Sequence, residues 1–373
     1  MPARRRFAVV LVLVWLVGCG HVIQPELAPN WGRFDFSRPP CPLSPRPAPA
    51  DDQVILRYLG AGGLYVEWQK TALLMAPFFS NPGVLHVQFG RLSSDPEAVR
   101  RGLEGVDTFR VGAIAAGHSH YDHLGDLPLV AETYSPAARI YVNQTGWNAL
   151  APLPPLTDRV ASLEGEEGKE WIWLRDPDTN PLPIRFRKVD SGHAPQLPHF
   201  HFAVGEIKQP WREDWRHHRT RDLKAGKTFA FVIDLLSDDL QKVRFRIYYQ
   251  DAANPPETGF PTFAGVEEHG FDLAVLCMAS YQFVGRHPES ILGHLHPRHV
   301  LIAHYEDFFR DRRKPVRFVF PLSNAAANRF LRRTKDAMSG PATGGPEGTV
   351  CGPSSPALTM PMPGEWMRFR VGP

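Results

Sequence analysis

The ten residues 117–126 read Gly-His-Ser-His-Tyr-Asp-His-Leu-Gly-Asp, and they place His118, His120, Asp122 and His123 within six positions. An apolar run at 111–116 precedes them, so we expect a loop that leaves the end of a buried strand. Imidazole and carboxylate groups are ligands that zinc, iron and manganese share. Because the chain has only 16 histidines in 373 residues, this spacing favours a metal site over a loop that is rich in histidine by chance.

The motif His-Ser-His-Tyr-Asp-His resembles the HxHxDH signature of the metallo-β-lactamase superfamily. The resemblance implies a single α/β domain folded as an αββα four-layer sandwich, in which a His, an Asp and a second His follow later strands. Three polar residues stand directly after apolar runs in that order, namely His193, Asp251 and His304. By the resemblance, one metal ion is held by His118, His120 and His193, a second by Asp122, His123 and His304, and Asp251 bridges the two.

Each of the later ligands has rivals nearby in the sequence. The histidines at 199–201 compete with His193, but that stretch reads better as an alternating strand. Asp234 competes with Asp251, yet it stands inside an apolar, strand-like run. The histidines within 294–299 surround Pro297, which is typical of a helix end and its turn.

The resemblance also implies an enzyme. It would be a binuclear metallo-hydrolase, in which a hydroxide bridging two divalent ions attacks an ester-type bond. Asp122 and Asp251 are the candidate catalytic carboxylates, and zinc is favoured over iron and manganese. Ala76 stands where the superfamily usually has an Asp that supports the ligands. A second hypothesis therefore stays open, namely a catalytically weak, metal-binding envelope protein that binds a ligand or a partner.

Residues 272–305 are similar to one branch of the superfamily, which contains N-acyl-phosphatidylethanolamine phospholipase D and L-ascorbate-6-phosphate lactonase. That branch typically has Trp-Gly-Thr after the last His, whereas this chain has Tyr-Glu-Asp at 305–307. We expect a phosphodiester, including that of a phospholipid, ahead of a lactone or amide. The candidate substrate-facing residues are Tyr281, Tyr305, Trp211, Arg212 and Trp215. For the tryptophans, packing on the sandwich is an equal alternative.

The first 18 residues are expected to be a lipoprotein signal peptide. Arg4, Arg5 and Arg6 precede an apolar run at 7–17, which is shorter than the about 20 residues that span a bilayer. Residues 16–19 resemble a bacterial lipobox, so a lipid at Cys19 would anchor the chain to a membrane of the cell envelope. An ordinary secretory signal is the alternative. The proline-rich stretch 19–50 favours an extended tether, and the metallo-β-lactamase-like domain would span 51–373.

Charge and cysteine content limit the partners. The formal net charge is +3, so no polyanion is implied, and we expect a small-molecule or lipid substrate and no nucleic acid. Outside the cytoplasm Cys41 can pair with Cys351, whereas Cys277 lies in an apolar run that predicts a buried thiol. Alternation over 54–75 predicts a hairpin with a glycine-rich turn, an amphipathic helix is expected at 324–337, and a closing strand at 365–371.

Overall fold

The computed structural model describes residues 46, 52–198, 201–266, 268–338 and 358–371. The expected signal peptide, Cys19, most of the tether, and both Cys41 and Cys351 lie outside these residues, as does His199. Cys277 is buried and free, as its apolar surroundings predict. Within the described ranges, no helix combines the length and the apolar character that crossing a bilayer requires.

The first sheet has seven strands in the order β14-β1-β2-β3-β4-β5-β6. Its strands are β1 (Gln53–Gly60), β2 (Gly63–Trp68), β3 (Thr71–Met75), β4 (Val111–Ala115), β5 (Arg139–Val142), β6 (Val160–Ser162) and β14 (Trp366–Arg370). Pairing is antiparallel from β14 to β3 and parallel from β3 to β6. The hairpin expected at 54–75 and the closing strand expected at 365–371 are both confirmed.

The second sheet also has seven strands, in the order β13-β12-β11-β10-β9-β8-β7. They are β7 (Ile172–Arg175), β8 (Pro181–Ser191), β9 (Thr228–Leu236), β10 (Val243–Gln250), β11 (Leu273–Cys277), β12 (His299–Ala303) and β13 (Leu358–Thr359). Because β8 and β10 each pair antiparallel with β9, and β10 to β12 are parallel, β8, β10 and β12 all end at the same edge of the sheet.

Within the described ranges, seven α-helices connect the strands. They are α1 (Val84–Phe89), α2 (Pro96–Gly102), α3 (Tyr121–Leu124), α4 (Leu127–Leu129), α5 (Gln144–Leu150), α6 (Glu289–Leu295) and α7 (Asn324–Ala337). Helix α7 has the bounds that the sequence predicts. It begins where the Ser323 side chain accepts a hydrogen bond from the Ala326 N–H, which satisfies one of the free donors of the first turn.

The layers follow from the alternation of buried side chains along the strands. In β1, Leu56 packs in one core with Phe231 of the second sheet, whereas Ile55 belongs to another core with Val99 of α2 and Leu150 of α5. The opposite side of the second sheet is covered by α6 and α7. The protein is therefore a helix–sheet–sheet–helix sandwich, which confirms the αββα architecture.

Candidate metal centre

The histidine-rich loop follows β4 and is fixed by hydrogen bonds to the second sheet. The Gly117 carbonyl accepts from the Phe229 N–H at 2.8 Å, and the Ser119 N–H donates to the Ala225 carbonyl at 3.0 Å. The Asn143 side chain accepts from the Ser119 hydroxyl and donates to the carbonyls of Ala225 and Lys227 at 2.7 and 2.6 Å. The two sheets are thereby joined directly beside the candidate ligands.

All seven predicted ligands meet at one place between the sheets. Their donor atoms form three overlapping groups, and within each group the atoms lie within 4.8 Å of one another. The groups are His118 with His120 and His193, His118 with His123 and Asp251, and Asp122 with His123 and His304. The rivals Asp234, His294, His296 and His299 belong to none of these groups. The strand ends of β4, β8, β10 and β12 supply this arrangement, because each ligand follows one of them.

The group of Asp122, His123 and His304 has the spacing of metal ligands. Asp122 Oδ2 lies 3.4 Å from His123 Nε2 and 3.3 Å from His304 Nε2, and the two Nε2 atoms are 3.3 Å apart. Tetrahedral ligands about 2.0–2.2 Å from a zinc ion lie ~3.4 Å from each other. The three edges of this triangle therefore fit one ion.

The group of His118, His120 and His193 presents free nitrogens to a common point. His118 Nδ1 lies 3.0 Å from the Asp251 carboxylate and can donate to it, and His193 Nδ1 donates to the Ala194 carbonyl at 2.6 Å. These bonds leave the Nε2 lone pair of each ring available. His118 Nε2 faces His120 Nδ1 across 3.1 Å, a separation that a shared cation explains. The residues present thus fit a two-metal centre.

Burial keeps the imidazoles in the form that binds metal. It lowers the pKa of His118 well below its usual range, and it lowers the pKa of His120 and of His193 to about 3. At neutral pH these rings are neutral and need no deprotonation before binding. Burial also raises the pKa of Asp251, despite the opposing effect of His123. A buried carboxylate in this position is stabilised by a cation.

Close packing around the ligands requires two glycines. A Cβ atom at Gly62 would lie 2.7 Å from His123 Cε1 and 2.9 Å from Asp251 Cβ, and one at Gly117 would lie 2.6 Å from Asp251 Oδ1. All three distances are shorter than Cβ atoms tolerate. The turn between β1 and β2, which contains Gly62, is therefore part of the wall of the metal centre.

A further buried carboxylate, Asp126, is hydrogen-bonded to the segment that follows Ala76. Ala76 is buried directly after β3, and its N–H donates to the Ala115 carbonyl at 2.8 Å. Its methyl side chain offers no group that could support a metal ligand. The Asp126 carboxylate accepts from the N–H groups of Phe79 and Ser80 at 2.6 and 2.7 Å and from the Ser80 hydroxyl at 2.5 Å. It fixes the segment after Ala76 to the end of the ligand loop. The sequence does not predict this role of Asp126, because its partners Phe79 and Ser80 lie 47 and 46 positions away.

A cavity of about 630 Å³ opens onto the ligands, and His120, Asp122, His193, Asp251 and His304 form part of its wall. Much of the remaining wall is apolar. The side chains that line it include Val84, Val87, Leu197, Leu223, Phe308 and Phe309. Such a volume is ordinary for a small-molecule site, and the apolar wall suits a substrate with a hydrocarbon or aromatic portion.

Five cationic side chains also line this cavity, and we call them the rim cations: Arg221, Lys224, Arg310, Lys314 and Arg317. Among the described residues, none of the five has a carboxylate oxygen within 4.0 Å. Arg313, in the same loop but outside the cavity, pairs with Asp311 at 2.6 Å. Burial, and then the charge of Arg317, lower the pKa of Arg310. The cavity therefore carries five cations that form no close ion pair with a described carboxylate, although Asp307 and Asp311 line the same cavity.

The residues expected to face the substrate lie elsewhere. Tyr281 and Tyr305 are buried, and their hydroxyls donate to the carbonyls of Ala326 and Pro361 at 2.6 and 2.7 Å. Trp215 is buried, Trp211 stacks on His218 with ring centroids 3.7 Å apart, and Arg212 is exposed. None of the five lines the cavity. The positively charged side chains that line the cavity are the rim cations instead.

No protein-family model matches the sequence, and no curated protein is significantly similar to it. Among solved structures, Igni18, a metallo hydrolase from Ignicoccus hospitalis, is 14% identical with a TM-score of 0.46 over 86% of this chain and 100% of that chain. The metallo-β-lactamase fold protein YhfI from Bacillus subtilis is 11% identical with a TM-score of 0.47 over 85% of this chain and 100% of that one. An isothiocyanate hydrolase from Delia radicum gut bacteria is 12% identical with a TM-score of 0.44, over 85% and 100% of the two chains. Similarities this distant do not assign a reaction.

Proposed function

We propose that this protein is a metal-dependent hydrolase with two divalent ions, with zinc favoured over iron and manganese. The observation that carries the proposal is the group of Asp122, His123 and His304, whose donor atoms lie 3.3 and 3.4 Å apart, next to the group of His118, His120 and His193. Nitrogen and carboxylate donors suit these three metals. Asp251 groups with His118 and His123, one ligand of each half, and would help to hold both ions.

The chain's own residues provide binding, orientation and charge. A divalent ion at such a site lowers the pKa of bound water towards 7 and polarises the bond to be cleaved. Asp122 and Asp251 supply the negative charge that holds the ions. The hydrogen bonds from His118 to Asp251 and from His193 to Ala194 fix the ring orientations, and this support is a general requirement of metal sites. No serine or cysteine nucleophile is needed.

Within this reaction class we favour a phosphodiester, including that of a phospholipid, over a lactone or amide. The support is the charge of the cavity, because the rim cations face it without carboxylate partners and a phosphodiester carries the complementary negative charge. The apolar wall supports a substrate with an acyl or aryl portion. A lipid anchor at Cys19, proposed from the sequence alone, would hold the domain at a membrane of the cell envelope.

The test combines metal analysis with hydrolysis assays. The soluble chain beginning at Gly20 would be assayed for metal content and for turnover of bis(p-nitrophenyl) phosphate, a lactone and an N-acyl phospholipid. We expect about two ions per chain and turnover of the phosphodiester substrates. His120→Ala and Asp122→Ala should each lose metal and activity, whereas His217→Ala, which removes an exposed histidine outside the centre, should retain both.

Two outcomes would redirect the proposal. Metal binding without turnover of any ester would favour the second hypothesis, a metal-binding protein of the envelope, and would implicate Ala76. Turnover that survives in Asp122→Ala at the wild-type rate would contradict the two-metal mechanism itself.

A further inference from the structure

We propose that Glu306 is a positioning residue that sets the affinity of one half of the metal centre, the half formed by Asp122, His123 and His304. This inference rests on the proposed two-metal function. Glu306 comes two residues after His304 and is 5% exposed. It does not line the cavity, so it acts on the ions only through the residues it contacts.

The first contact runs through Tyr58 to the backbone of a ligand. Glu306 Oε2 accepts a hydrogen bond from the Tyr58 hydroxyl at 2.6 Å and from the Tyr305 N–H at 3.2 Å. The Tyr58 oxygen in turn accepts from the N–H of His304 at 2.8 Å. His304 has a φ of 53°, a left-handed conformation that is unfavourable for a side chain with a Cβ atom. The carboxylate and the phenol together hold this backbone in place.

The second contact runs through the turn between β1 and β2. Glu306 Oε1 accepts from the N–H of Ala61. The next residue, Gly62, packs against the His123 ring and the Asp251 Cβ atom so closely that no Cβ atom would fit there. Its carbonyl accepts from the Tyr249 hydroxyl at 2.5 Å. One carboxylate therefore fixes the turn that presses on His123 as well as the strand end that presents His304.

A partly buried cation, Arg312, lies near this carboxylate. Arg312 lies across Gly60 from Glu306, since a Cβ atom at Gly60 would meet both the Arg312 guanidinium and Glu306 Oε1. Its Nη2 donates to the Phe78 carbonyl at 2.7 Å. Burial lowers the pKa of Arg312, and the charge of Glu306 opposes that change. A compensated carboxylate stays in place in the interior, where an isolated one would be costly.

These contacts predict a larger effect on one ion than on the other. The contacts of Glu306 reach His304 through Tyr58, and they reach His123 through Ala61 and Gly62. The group of His118, His120 and His193 is held mainly by Asn143 and by the bond to Ala194, and its link to this turn runs through Asp251, which Gly62 also packs against. Residues that support metal ligands typically change metal affinity by about 10–100-fold. We expect a loss of that size for the ion held by Asp122, His123 and His304, and a smaller loss for the other ion.

The experiment is a cobalt titration of the metal-free chain, followed by visible absorption and by metal stoichiometry. The variants are Glu306→Gln, Glu306→Ala and Tyr58→Phe. The matched control is Tyr248→Phe, which removes an equally buried hydroxyl whose partner is the Gly259 carbonyl at 2.9 Å. We expect two binding steps in wild type and in the control. In Glu306→Ala and Tyr58→Phe one of the two steps should weaken about tenfold or more while the other changes much less, and Glu306→Gln should be intermediate.

Each outcome decides the matter, and unfolding temperatures measured without metal show whether the fold is intact. Two unchanged binding steps in Glu306→Ala would overturn the inference and leave the proposed function standing. Equal weakening of both steps would also overturn it, because a general loss of structure does not select one ion. If wild type bound no cobalt, the proposed function and this inference would fail together.

Discussion

Two buried aspartates in the second sheet, Asp234 and Asp251, are stabilised in different ways. Asp234 lies within β9 and is 0% exposed. Its carboxylate accepts from Arg246 Nε at 2.6 Å and from Arg185 Nη2 at 2.9 Å. Arg246 is itself buried, and it also donates to the Val266 carbonyl at 2.6 Å. Asp234 is therefore part of a complete, internally neutralised network.

Asp251, at the end of β10, is equally buried but has no arginine or lysine partner among the described residues. Its oxygens accept from the Gly117 N–H at 2.8 Å and lie 3.0 Å from His118 Nδ1 and 3.5 Å from His123 Nδ1. Burial lowers the pKa of His118, so this ring carries no charge to balance the carboxylate at neutral pH.

The difference between the two sites distinguishes a carboxylate that stabilises the fold, Asp234, from one that is a candidate metal ligand, Asp251. A carboxylate that is paired with permanent cations contributes to the fold, whereas one whose neighbours are imidazoles and a backbone N–H group has a role that a metal ion completes. In the sequence the two aspartates are rivals for the same role. The surroundings of each, and not its burial, decide between them.

The largest expected effect comes from removing each carboxylate in turn. Asp234→Ala leaves Arg246 buried and unpaired, and should lower the free energy of unfolding by ~3–5 kcal/mol. Asp251→Asn, in the metal-free protein, removes a charge without a permanent partner and keeps an oxygen for the Gly117 N–H, so it should change that free energy by less than ~1 kcal/mol. Urea unfolding measures both.

Metal content provides the converse measurement for the same pair. Asp234→Ala, wherever it remains folded, should keep its ions, and Asp251→Asn should lose at least one. If the two variants had equal stabilities and equal metal contents, the distinction between the sites would be wrong.

The next effect concerns the cost of charging a buried imidazole. His287 is buried outside the centre, with Nε2 3.2 Å from the Cys277 carbonyl, and burial lowers its pKa from 6.5 to about 4. Between these values the unfolded chain binds a proton that the folded protein does not. The free energy of unfolding therefore falls as the pH is lowered through this range, by up to ~1.4 kcal/mol per pH unit.

His287→Gln should remove this part of the pH dependence, because glutamine does not titrate and can still donate to the carbonyl. The measurement is urea unfolding of the metal-free protein at several pH values between 6.5 and about 4, and His217→Ala serves as the exposed control. Identical slopes for wild type and His287→Gln would show that burial does not depress this pKa.

Local sequence was sufficient for the hairpin at 54–75, for the closing strand and for helix α7, and it named candidate ligands that the fold brings to one place. Each ligand directly follows an apolar strand, and strand ends gather at one edge of a sheet, so the order of residues alone places them together. The alternation at 54–75 likewise fixes which side chains of the hairpin face the second sheet. These features depend on the spacing of apolar residues and on the order of residues along the chain, both of which can be read from the sequence.

The cavity wall and the supporting contacts could not be predicted in the same way. In the sequence Glu306 is only one member of the departure Tyr-Glu-Asp at 305–307, and its partner Tyr58 is 248 positions away. Trp211 stacks on His218 with its indole ring, and its backbone N–H donates to the Asn148 carbonyl. A tryptophan that packs and a tryptophan that faces a substrate have the same local pattern. Only the meeting of distant segments distinguishes them.

The smallest expected effect tests the charges that have no internal partner. The triple variant Arg310→Gln/Lys314→Gln/Arg317→Gln should raise the KM for bis(p-nitrophenyl) phosphate about tenfold, which corresponds to ~1.4 kcal/mol, with kcat little changed. Arg313→Gln, whose parent residue pairs with Asp311, is the control and should leave KM unchanged. Because these side chains form no ion pair within 4.0 Å among the described residues, the free energy of unfolding of the triple variant should stay within ~0.5 kcal/mol of wild type.

Salt and a neutral substrate sharpen the interpretation of this variant. Added salt screens charges near the surface, so it should raise the wild-type KM for the phosphodiester and have less effect on the triple variant. The KM for an uncharged lactone should be the same in both proteins. If the triple variant lost stability as Asp234→Ala does, with no change in KM, the rim cations would stabilise the fold and would not bind the substrate. A rise in KM at unchanged stability places them with the substrate, since an unpaired cation that the fold does not need is available to an anion from outside.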